Sequence, residues 1–442
     1  MLLGVKGSWA RALLAVVGGG LVAMCFPPFD VSGLVWVGLM PLFLALWGNE
    51  GKTGCRRRGF GRGYLFGLTF WLINIKWISE VTWFGWLAVA AFLGLYGGLF
   101  GLLVAWEGNP WRDEQAREVK RAVPAARRTL WFALVCGLWW CGLEWVRGWF
   151  LSGFGWNGLG VSFHETPVLA QGADLVGVTG LSFLPVFISA VIVQVARRLH
   201  QEVRSGKLRP HWDFAVAMVV LAAAFIYGVV RLQFAHVGDW MPVRVLMVQL
   251  NIPQEAAYVV WPLEQVHGGY EEETLRGLER VTEEELKRAE EALKSGDELA
   301  AVRLAPDWVL WPEAALKEAV YVTDDGTQAT GPANRHTLAR VREGGEFVLL
   351  MGLNEVESKR EGDLLVPDAE GDIYNSLVML PPGDDLFQTY RKQHLVMFGE
   401  TIPLRDSLPF LDWIFEKAAG VQFGGDFGRG TGAEPLMVPV PS

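Results

Sequence analysis

The sequence predicts a multi-pass α-helical membrane domain over residues 1–230, followed by an α/β domain over residues 231–442. Of the 442 residues, 51% are hydrophobic, and the chain has 21 Trp against 8 Tyr. The charge is divided: residues 1–230 carry 20 Lys/Arg and 12 Asp/Glu, whereas residues 231–442 carry 19 and 36. This composition excludes a disordered or fibrous chain and does not fit a purely soluble globule.

Apolar runs separated by short polar loops make up the first half of the chain. Most runs approach the roughly 20 residues that an α-helix needs to cross a bilayer. We therefore predict about seven membrane-spanning helices. They lie near residues 12–26, 31–48, 64–79, 83–106, 129–149, 174–196 and 214–230.

Alternate loops of this half differ in charge, and this difference predicts how the membrane domain is oriented across the membrane. The basic loops are residues 49–63, 107–128 and 197–213, and the loops without Lys or Arg are residues 27–30, 80–82 and 150–173. Cytoplasmic loops of membrane proteins are enriched in Lys and Arg, so we place the N-terminus in the cytoplasm. An odd number of spans then carries residue 231 to the other side. Nucleic-acid binding would also use basic loops, but their alternation with apolar spans favours the membrane reading.

Two features of the sequence could indicate a contact with lipid. Glu144 and Arg147 are three residues apart, so on a helix they share a face. They could neutralise one another, or they could contact a lipid head group. The apolar segment 408–415 could be a core helix or an arm that rests on the membrane.

The acidic half reads as strands alternating with helical segments. Predicted strands cover residues 243–252, 307–311, 347–352 and 373–380, and residues 263–300 form a charged helix. Such alternation favours an α/β or layered α+β domain. An acidic surface repels phosphate, which argues against nucleic-acid binding.

The sequence of the acidic half argues against a disulfide framework and against a metal site. All four cysteines, Cys25, Cys55, Cys136 and Cys141, lie in the apolar half. The acidic half therefore offers neither a disulfide framework nor a thiolate zinc site. The histidines show no helical spacing that would suggest a metal site.

Two motifs of the acidic half could carry chemistry. Glu313 follows an apolar strand in Trp311-Pro312-Glu313, where a partly buried carboxylate could act as general base. Lys392 lies in the segment 390–400, which ends in Gly-Glu400, and a lysine held there could stabilise an oxyanion. Taken singly, a rim glutamate and a solvated lysine are the simpler interpretations.

With these two motifs in place, the chain resembles the apolipoprotein N-acyltransferases, bacterial inner-membrane enzymes that carry a nitrilase-like domain. The resemblance covers essentially the whole chain and rests on the order and spacing of short motifs. They are residues 144–148, 153–157 and 171–183 in the first half, and 248–254, 311–313, 390–392 and 398–403 in the second.

The resemblance implies a fold and roles for individual residues. The second domain would be an α-β-β-α nitrilase-like sandwich on the periplasmic side of the inner membrane. Glu313 matches the general base, Lys392 the oxyanion-stabilising lysine, and Glu400 a further essential glutamate. The family also has a functional tryptophan at its substrate site, shortly after Asn-Ile-Pro-Gln, and Trp261 is the nearest match.

The family's reaction is a two-step acyl transfer through a cysteine thioester, and it implies both partners. The acyl donor would be a phospholipid, typically phosphatidylethanolamine, and the acceptor the diacylglyceryl-cysteine at the N-terminus of an apolipoprotein. No metal or organic cofactor is implied. The alternatives are a membrane-anchored nitrilase-like amidase, a non-catalytic membrane protein that binds lipoproteins, and, least favoured, a transporter.

The chain departs from the family at the nucleophile. In the family a cysteine follows a Gly/Thr-rich loop. Here that loop is present as residues 424–432, and the sequence reaches Ser442 without a cysteine. We therefore expect a C-terminally incomplete domain, without acyl transfer by these 442 residues alone.

Overall fold

The chain divides into two compact units, Met1–Val237 and Gly238–Ser442. In the computed structural model, the described residues are 7–47, 55–81, 83–107, 122–206, 208–234, 242–252, 261–295, 305–362, 364–383, 387–396, 399–402, 410, 413, 417, 427–432 and 434–439. A helical first unit followed by a mixed-sheet second unit confirms the coarse fold class that the sequence predicts.

Helices dominate the first unit because apolar runs at membrane length satisfy their backbone hydrogen bonds within each segment. They are α1 (Ser8–Ala23), α2 (Met40–Leu46), α3 (Cys55–Asn74), α4 (Ile78–Val81), α5 (Trp83–Glu107), α6 (Ala122–Arg147), α7 (Pro167–Ala170), α8 (Ala173–Leu181), α9 (Phe183–Ser205) and α10 (Trp212–Phe234). Short 3-10 turns cover Ser32–Trp36, Phe150–Ser152 and Leu159–Glu165.

Four helices among the described residues are long and apolar enough to cross a membrane. These spans are Trp83–Glu107, Ala125–Arg147, Phe183–Ser205 and Trp212–Phe234. The predicted run 31–48 is instead a 3-10 turn followed by α2, which begins around Pro41. Proline has no N–H and cannot continue a helix, but it fits the first turn of a new one. The count of seven spans stays a prediction.

Glycines bring α3 and α5 into backbone contact. A Cβ added at Gly63 would overlap the carbonyl oxygen of Gly97, and one at Gly97 would lie 2.6 Å from the carbonyl oxygen of Gly63. Gly59 and Gly101 face each other in the same way one turn further along. Small residues let two helix backbones approach closely, so close packing at these glycines holds the pair together.

We expect Gly63→Ala to destabilise the first unit, because its methyl group has no space beside the α5 backbone. Overpacking of this kind costs about 1–3 kcal/mol. Gly61 is the matched control, since no described atom lies within 4 Å of a Cβ built there. The measurement is the thermal unfolding midpoint in detergent. Equal midpoints for Gly63→Ala and Gly61→Ala would contradict the assignment of this contact.

The second unit is built on one mixed sheet flanked by two long helices. Its strands are β1 (Val245–Met247), β2 (Trp308–Leu310), β3 (Val320–Val322), β4 (Gln328–Thr330), β5 (Val348–Glu361), β6 (Leu364–Pro367), β7 (Ile373–Leu380) and β8 (Gln388–Arg391). The helices are α11 (Leu263–Ser295) and α12 (Pro332–Arg342), which contact each other.

The 14-residue strand β5 organises this sheet. Its first part pairs with β2 and its later part with β3, both in parallel, while β7 pairs antiparallel along the other edge. β1 extends the sheet beyond β2, β4 beyond β3, and β8 beyond β7. β6 forms a hairpin with the end of β5. The strands that precede Glu313 and Lys392 are therefore tied to β5, β2 directly and β8 through β7.

The core of the second unit lies between the sheet and α11. Tyr270 of α11 stacks on Trp311 at 4.8 Å between ring centroids, and the indole N–H of Trp311 donates to Thr274 at 3.1 Å. All three side chains are buried. The strand predicted over 373–380 is found at those bounds, whereas those over 243–252 and 307–311 are shorter and that over 347–352 is longer. Segment 408–415 lies almost entirely outside the described residues.

Candidate active site

Glu313 is positioned by the continuation of the β2–β5 hydrogen bonds past the end of β2. The N–H of Gly352 donates to the carbonyl of Pro312 at 3.0 Å, and the N–H of Ala315 donates to the carbonyl of Gly352 at 2.9 Å. Glu313 and Ala314 therefore lie opposite Gly352 alone, with Ala314 at φ 50°. A Cβ at Gly352 would lie 2.5 Å from the Glu313 Cα, so the approach requires glycine.

Lys392 comes directly after β8 and is held by its neighbours on both sides. Its N–H donates to the carbonyl of Asn375 in β7 at 2.8 Å, and its own carbonyl accepts from the N–H of Gly430 at 3.0 Å. Glu400 follows eight residues later, and its Oε2 accepts the N–H of Val396 at 2.8 Å. The lysine backbone is thus tied into the sheet, and the Glu400 carboxylate is anchored to the backbone at Val396, four residues before it.

The structure brings the three predicted catalytic side chains into one cluster. Lys392 Nζ lies 3.1 Å from Glu313 Oε1 and 2.9 Å from Glu400 Oε1. Asn375 donates from its Nδ2 to Glu313 Oε1 and, at 2.7 Å, to Glu400 Oε1. The ammonium and the amide therefore both bridge the two carboxylates, which are distant in sequence.

The two carboxylates differ in exposure. The Glu400 side chain is 11% exposed and the Glu313 side chain 62%. The sequence suggests a partly buried carboxylate at Glu313, and this prediction is wrong. Glu313 lies beyond the last residue of β2, at the rim of the sheet, whereas Trp311 is the residue that packs into the core. An exposed carboxylate remains accessible to a reacting group, while the buried one fixes the lysine.

Hydrogen bonding decides the protonation of Glu400 and Lys392. Burial acts to raise the pKa of Glu400, but hydrogen bonds from Val396, Asn375 and Lys392 outweigh it and hold the pKa below its ordinary value. Burial acts to lower the pKa of Lys392, but hydrogen bonds to Glu400 and Glu313 raise it overall. The lysine is therefore a stable cation, as a group that stabilises an oxyanion must be.

Comparison with known proteins shows which proteins the chain resembles in sequence. Residues 18–191 match the model of the apolipoprotein N-acyltransferase N-terminal domain. An apolipoprotein N-acyltransferase of Geobacter metallireducens is 28% identical over 421 residues, covering 95% of this chain and 68% of that protein. Those of Rhizobium rhizogenes and Rhodopseudomonas palustris are 25% and 27% identical, covering 97% and 98% of this chain and 72% of each relative.

The chain is similar to the apolipoprotein N-acyltransferases over nearly all of its length. The family is one of acyltransferases that act in lipoprotein biosynthesis, and its membrane character agrees with the four apolar helices of the first unit. The resemblance that the sequence motifs indicate is thereby confirmed.

Trp261, the substrate residue that the family motif suggests, is not brought to this cluster by any described contact. Its ring packs against the core of the second unit, and its carbonyl accepts a hydrogen bond from Lys317 Nζ at 2.5 Å. A substrate role for Trp261 stays a prediction. Within the described part of the chain, no three His, Cys, Asp or Glu side chains are grouped as a metal site requires.

Asn375 is the member of the site that sequence reasoning missed. It is a polar residue in a largely apolar strand, flanked by the buried Tyr374 and Ser376. That position was the available signal, because a polar side chain inside a strand needs a partner. Its partners lie 62 and 25 residues away in the sequence, so local patterns could not identify them.

The low pKa of Glu400 predicts how stability depends on pH. Because this pKa is lower in the folded than in the unfolded protein, Glu400 stabilises the fold above its ordinary pKa of 4.5. The contribution is lost as the pH falls through the folded value. We therefore expect the unfolding midpoint of Glu400→Gln to lie below that of the wild type at pH 7. The difference should shrink in acid, and a difference that grows in acid would contradict the prediction.

The pKa of Lys392 sets the upper end of the pH range over which the cluster stabilises the fold. Its pKa is raised, so its contribution is complete below the ordinary value of 10.5 and is lost as the pH rises through the folded value. The cluster thus contributes its full stability between these two limits. Glu343→Gln is the matched control for Glu400→Gln, since its 63% exposed carboxylate lies in a surface ion pair with Arg340.

Proposed function

We propose that the protein containing this sequence N-acylates lipoproteins, with the Glu313–Lys392–Glu400 cluster as its reaction centre. The observation that carries the proposal is the contact of one lysine with two carboxylates, 3.1 Å and 2.9 Å away, in a chain that resembles this family. A general base and an oxyanion donor must both reach one reacting carbonyl, and this cluster supplies a group for each role.

Each side chain has a distinct role in the proposed reaction. Glu313 accepts the proton of a cysteine thiol, and the thiolate attacks an acyl ester of a phospholipid. Lys392 donates hydrogen bonds to the tetrahedral oxyanion, and the protonated Glu313 returns its proton to the alkoxide of the lysophospholipid as it leaves. The α-amine of a diacylglyceryl-cysteine then attacks the thioester, Glu313 accepts the amine proton, and the cysteine thiol forms again as the acylated lipoprotein leaves. Glu400 and Asn375 hold the ammonium in place.

The thiol is the one group of this scheme that the described site does not hold. The four cysteines of the sequence all lie in the first unit, where Cys25 and Cys136 are buried in the helical core. The assay of the proposed function uses the complete gene product that contains this sequence.

We further propose that the second unit is a nitrilase-like sandwich on the periplasmic side of the inner membrane, and that phosphatidylethanolamine is the donor. The distribution of Lys and Arg among the loops supports this orientation. Exposed tryptophans support a membrane setting, since such side chains favour the interface between lipid and water. They are Trp77, Trp83, Trp106, Trp131, Trp145, Trp149 and Trp156.

The test is an acyl-transfer assay with two products. The complete gene product is incubated with phosphatidylethanolamine, labelled in one acyl chain, and a diacylglyceryl-cysteine peptide. We expect the label on the peptide amine together with an equal amount of lysophospholipid. Release of free fatty acid without peptide acylation would instead indicate a hydrolase, and no turnover of phospholipid would refute the proposal.

A further inference from the structure

Asn354 of β5 lies on the face of the sheet that carries the reaction centre. Leu353 packs into the core with α11, whereas Leu350 belongs to a separate apolar cluster on the opposite face. Successive side chains of a strand alternate between the two faces, so Asn354 lies on the face of Leu350. Asn375 of β7 is directly opposite Asn354, which places their Cβ atoms about 4.5–5.5 Å apart. Lys392, whose N–H donates to the carbonyl of Asn375, continues the same row across the sheet.

Glu313 approaches this face from the other side of β5. A Cβ at Gly352 would lie 2.5 Å from the Cα of Glu313. Gly352 and Asn354 are two residues apart on one face of β5, about 7 Å along the strand. Asn354 therefore lies between the chain that carries the base and the strand that carries Asn375.

The side chain of Asn354 differs from its neighbours in this row because no described residue forms a hydrogen bond with it. Asn375 donates to both carboxylates of the cluster, and Lys392 contacts the same two groups. Asn354 is half-buried. A carboxamide has two N–H donors and a carbonyl acceptor. This amide is thus available to a molecule that enters the reaction centre.

The charge of the cluster indicates which group of a substrate fits beside Asn354. Two carboxylates and one ammonium give the ionised cluster a net charge of −1. Such a site repels a phosphate and attracts an α-ammonium. In a lipoprotein N-terminus, the α-amine nitrogen lies about 2.5 Å from the carbonyl carbon of the first peptide group. An acceptor with its amine at the cluster therefore brings an uncharged peptide carbonyl to the neighbouring position.

We propose that Asn354 selects the acceptor by donating a hydrogen bond from Nδ2 to the carbonyl of its first peptide group. This inference rests on the proposed function, which names the diacylglyceryl-cysteine chain as the acceptor. The hydrogen bond orients the α-amine towards the thioester. The first step, which involves only the phospholipid, makes no use of it. Asn354 is thus a specificity-determining residue for the second step.

The kinetic test varies the concentration of a diacylglyceryl-cysteine peptide with the complete gene product and phosphatidylethanolamine. Asn354→Leu keeps the size of the side chain and removes the amide. We expect the KM for the peptide to rise about fivefold with kcat nearly unchanged, as the loss of one neutral hydrogen bond implies. Release of lysophospholipid in the absence of peptide should match the wild type. An unchanged KM, or an equal slowing of the first step, would overturn the proposal.

Gln388→Leu is the matched control. Gln388 is an exposed carboxamide on the same face, opposite Met379 and about 13 Å along the chain from Lys392. Its loss should leave the KM for the peptide at the wild-type value. Asn354→Ser provides a second variant, because it keeps a polar group but is too short to reach the same carbonyl. A fivefold higher KM for Gln388→Leu as well would overturn the assignment to Asn354.

A binding measurement separates this inference from the proposed function. The peptide and an analogue with an alkene in place of its first peptide bond are bound to the complete gene product without phospholipid, and native mass spectrometry gives both affinities. We expect the wild type to prefer the peptide about fivefold more strongly than Asn354→Leu does. Equal preferences in the two proteins would overturn the inference. The expected difference in a protein without acyl transfer would refute the proposed function alone.

Discussion

Glu313→Gln is expected to abolish detectable lipoprotein acylation by the complete gene product. Removal of a general base typically costs about 10²–10⁴-fold in rate. Glutamine preserves the size of the side chain and can still accept a hydrogen bond from Lys392, so the fold should be retained. The carboxylate that takes up the thiol proton is the only chemical group lost.

The step that fails should be the first one. With labelled phospholipid, the variant is expected to release no lysophospholipid and to accumulate no acyl thioester. Glu343→Gln is the matched control, since Glu343 is 63% exposed and Glu313 62%. A Glu313→Gln rate above half of the wild-type rate would remove Glu313 from the mechanism.

Lys392→Met probes the second role within the same experiment. Loss of one oxyanion donor typically costs about 10²–10³-fold in rate. The rate of the double variant Glu313→Gln/Lys392→Met should be little below that of the slower single variant, because the effects of residues that act as a unit are not additive. Lys359→Met is its control, as Lys359 lies in a surface pair with Asp368 at 2.8 Å.

Arg391→Met is expected to cause a large loss of stability in the second unit. The guanidinium of Arg391 donates through Nε and Nη2 to Glu355 Oε1, at 2.9 Å and 2.6 Å, and through Nη1 to Glu357. The Glu355 side chain is 2% exposed. Removing the arginine leaves this buried carboxylate without its cation, which costs about 3 kcal/mol.

For a unit of this size, such a loss lowers the unfolding midpoint by about 6–12 °C. Arg340→Met is the control, because it removes an exposed ion pair with Glu343 that contributes at most about 1 kcal/mol. The double variant Glu355→Gln/Arg391→Met should recover part of the midpoint, since no charge is then buried alone. Equal midpoints for Arg391→Met and Arg340→Met would contradict a structural role for the pair.

The same substitution should also reduce acyl transfer, because Arg391 positions Lys392. The two are neighbours at the end of β8, and neighbouring side chains of a strand point to opposite faces. Arg391 is anchored on one face by Glu355 and by Tyr374, whose ring centroid lies 3.8 Å from the guanidinium carbon. Lys392 is directed to the other face, towards Glu313. A lower kcat with unchanged KM would mark this positioning role.

Glu313 and Lys392 could be predicted from the sequence, whereas Asn375, which bridges the site, could not. Glu313 follows a strand with a clear apolar pattern, so its location at a sheet rim could be predicted. The strand before Lys392 is Gln-Thr-Tyr-Arg, which has no apolar pattern. Short strands such as β3 and β4 escaped notice because three residues carry too little periodicity. The helix α12 was likewise missed, although Pro332 lies in its first turn. Asn375 and the Glu355–Arg391 pair depend on long-range pairing, which only the folded sheet reveals.

One strand carries the supports of both halves of the reaction centre. Gly352, which allows the chain at Glu313 to approach, and Glu355, which anchors the arginine next to Lys392, are three residues apart on β5. Their separation of about 10 Å is therefore fixed by the rise of an extended backbone. Surface loops can change in length and composition without altering the distance between base and cation. Substrate range can thus diverge within the family while the chemical step keeps its geometry.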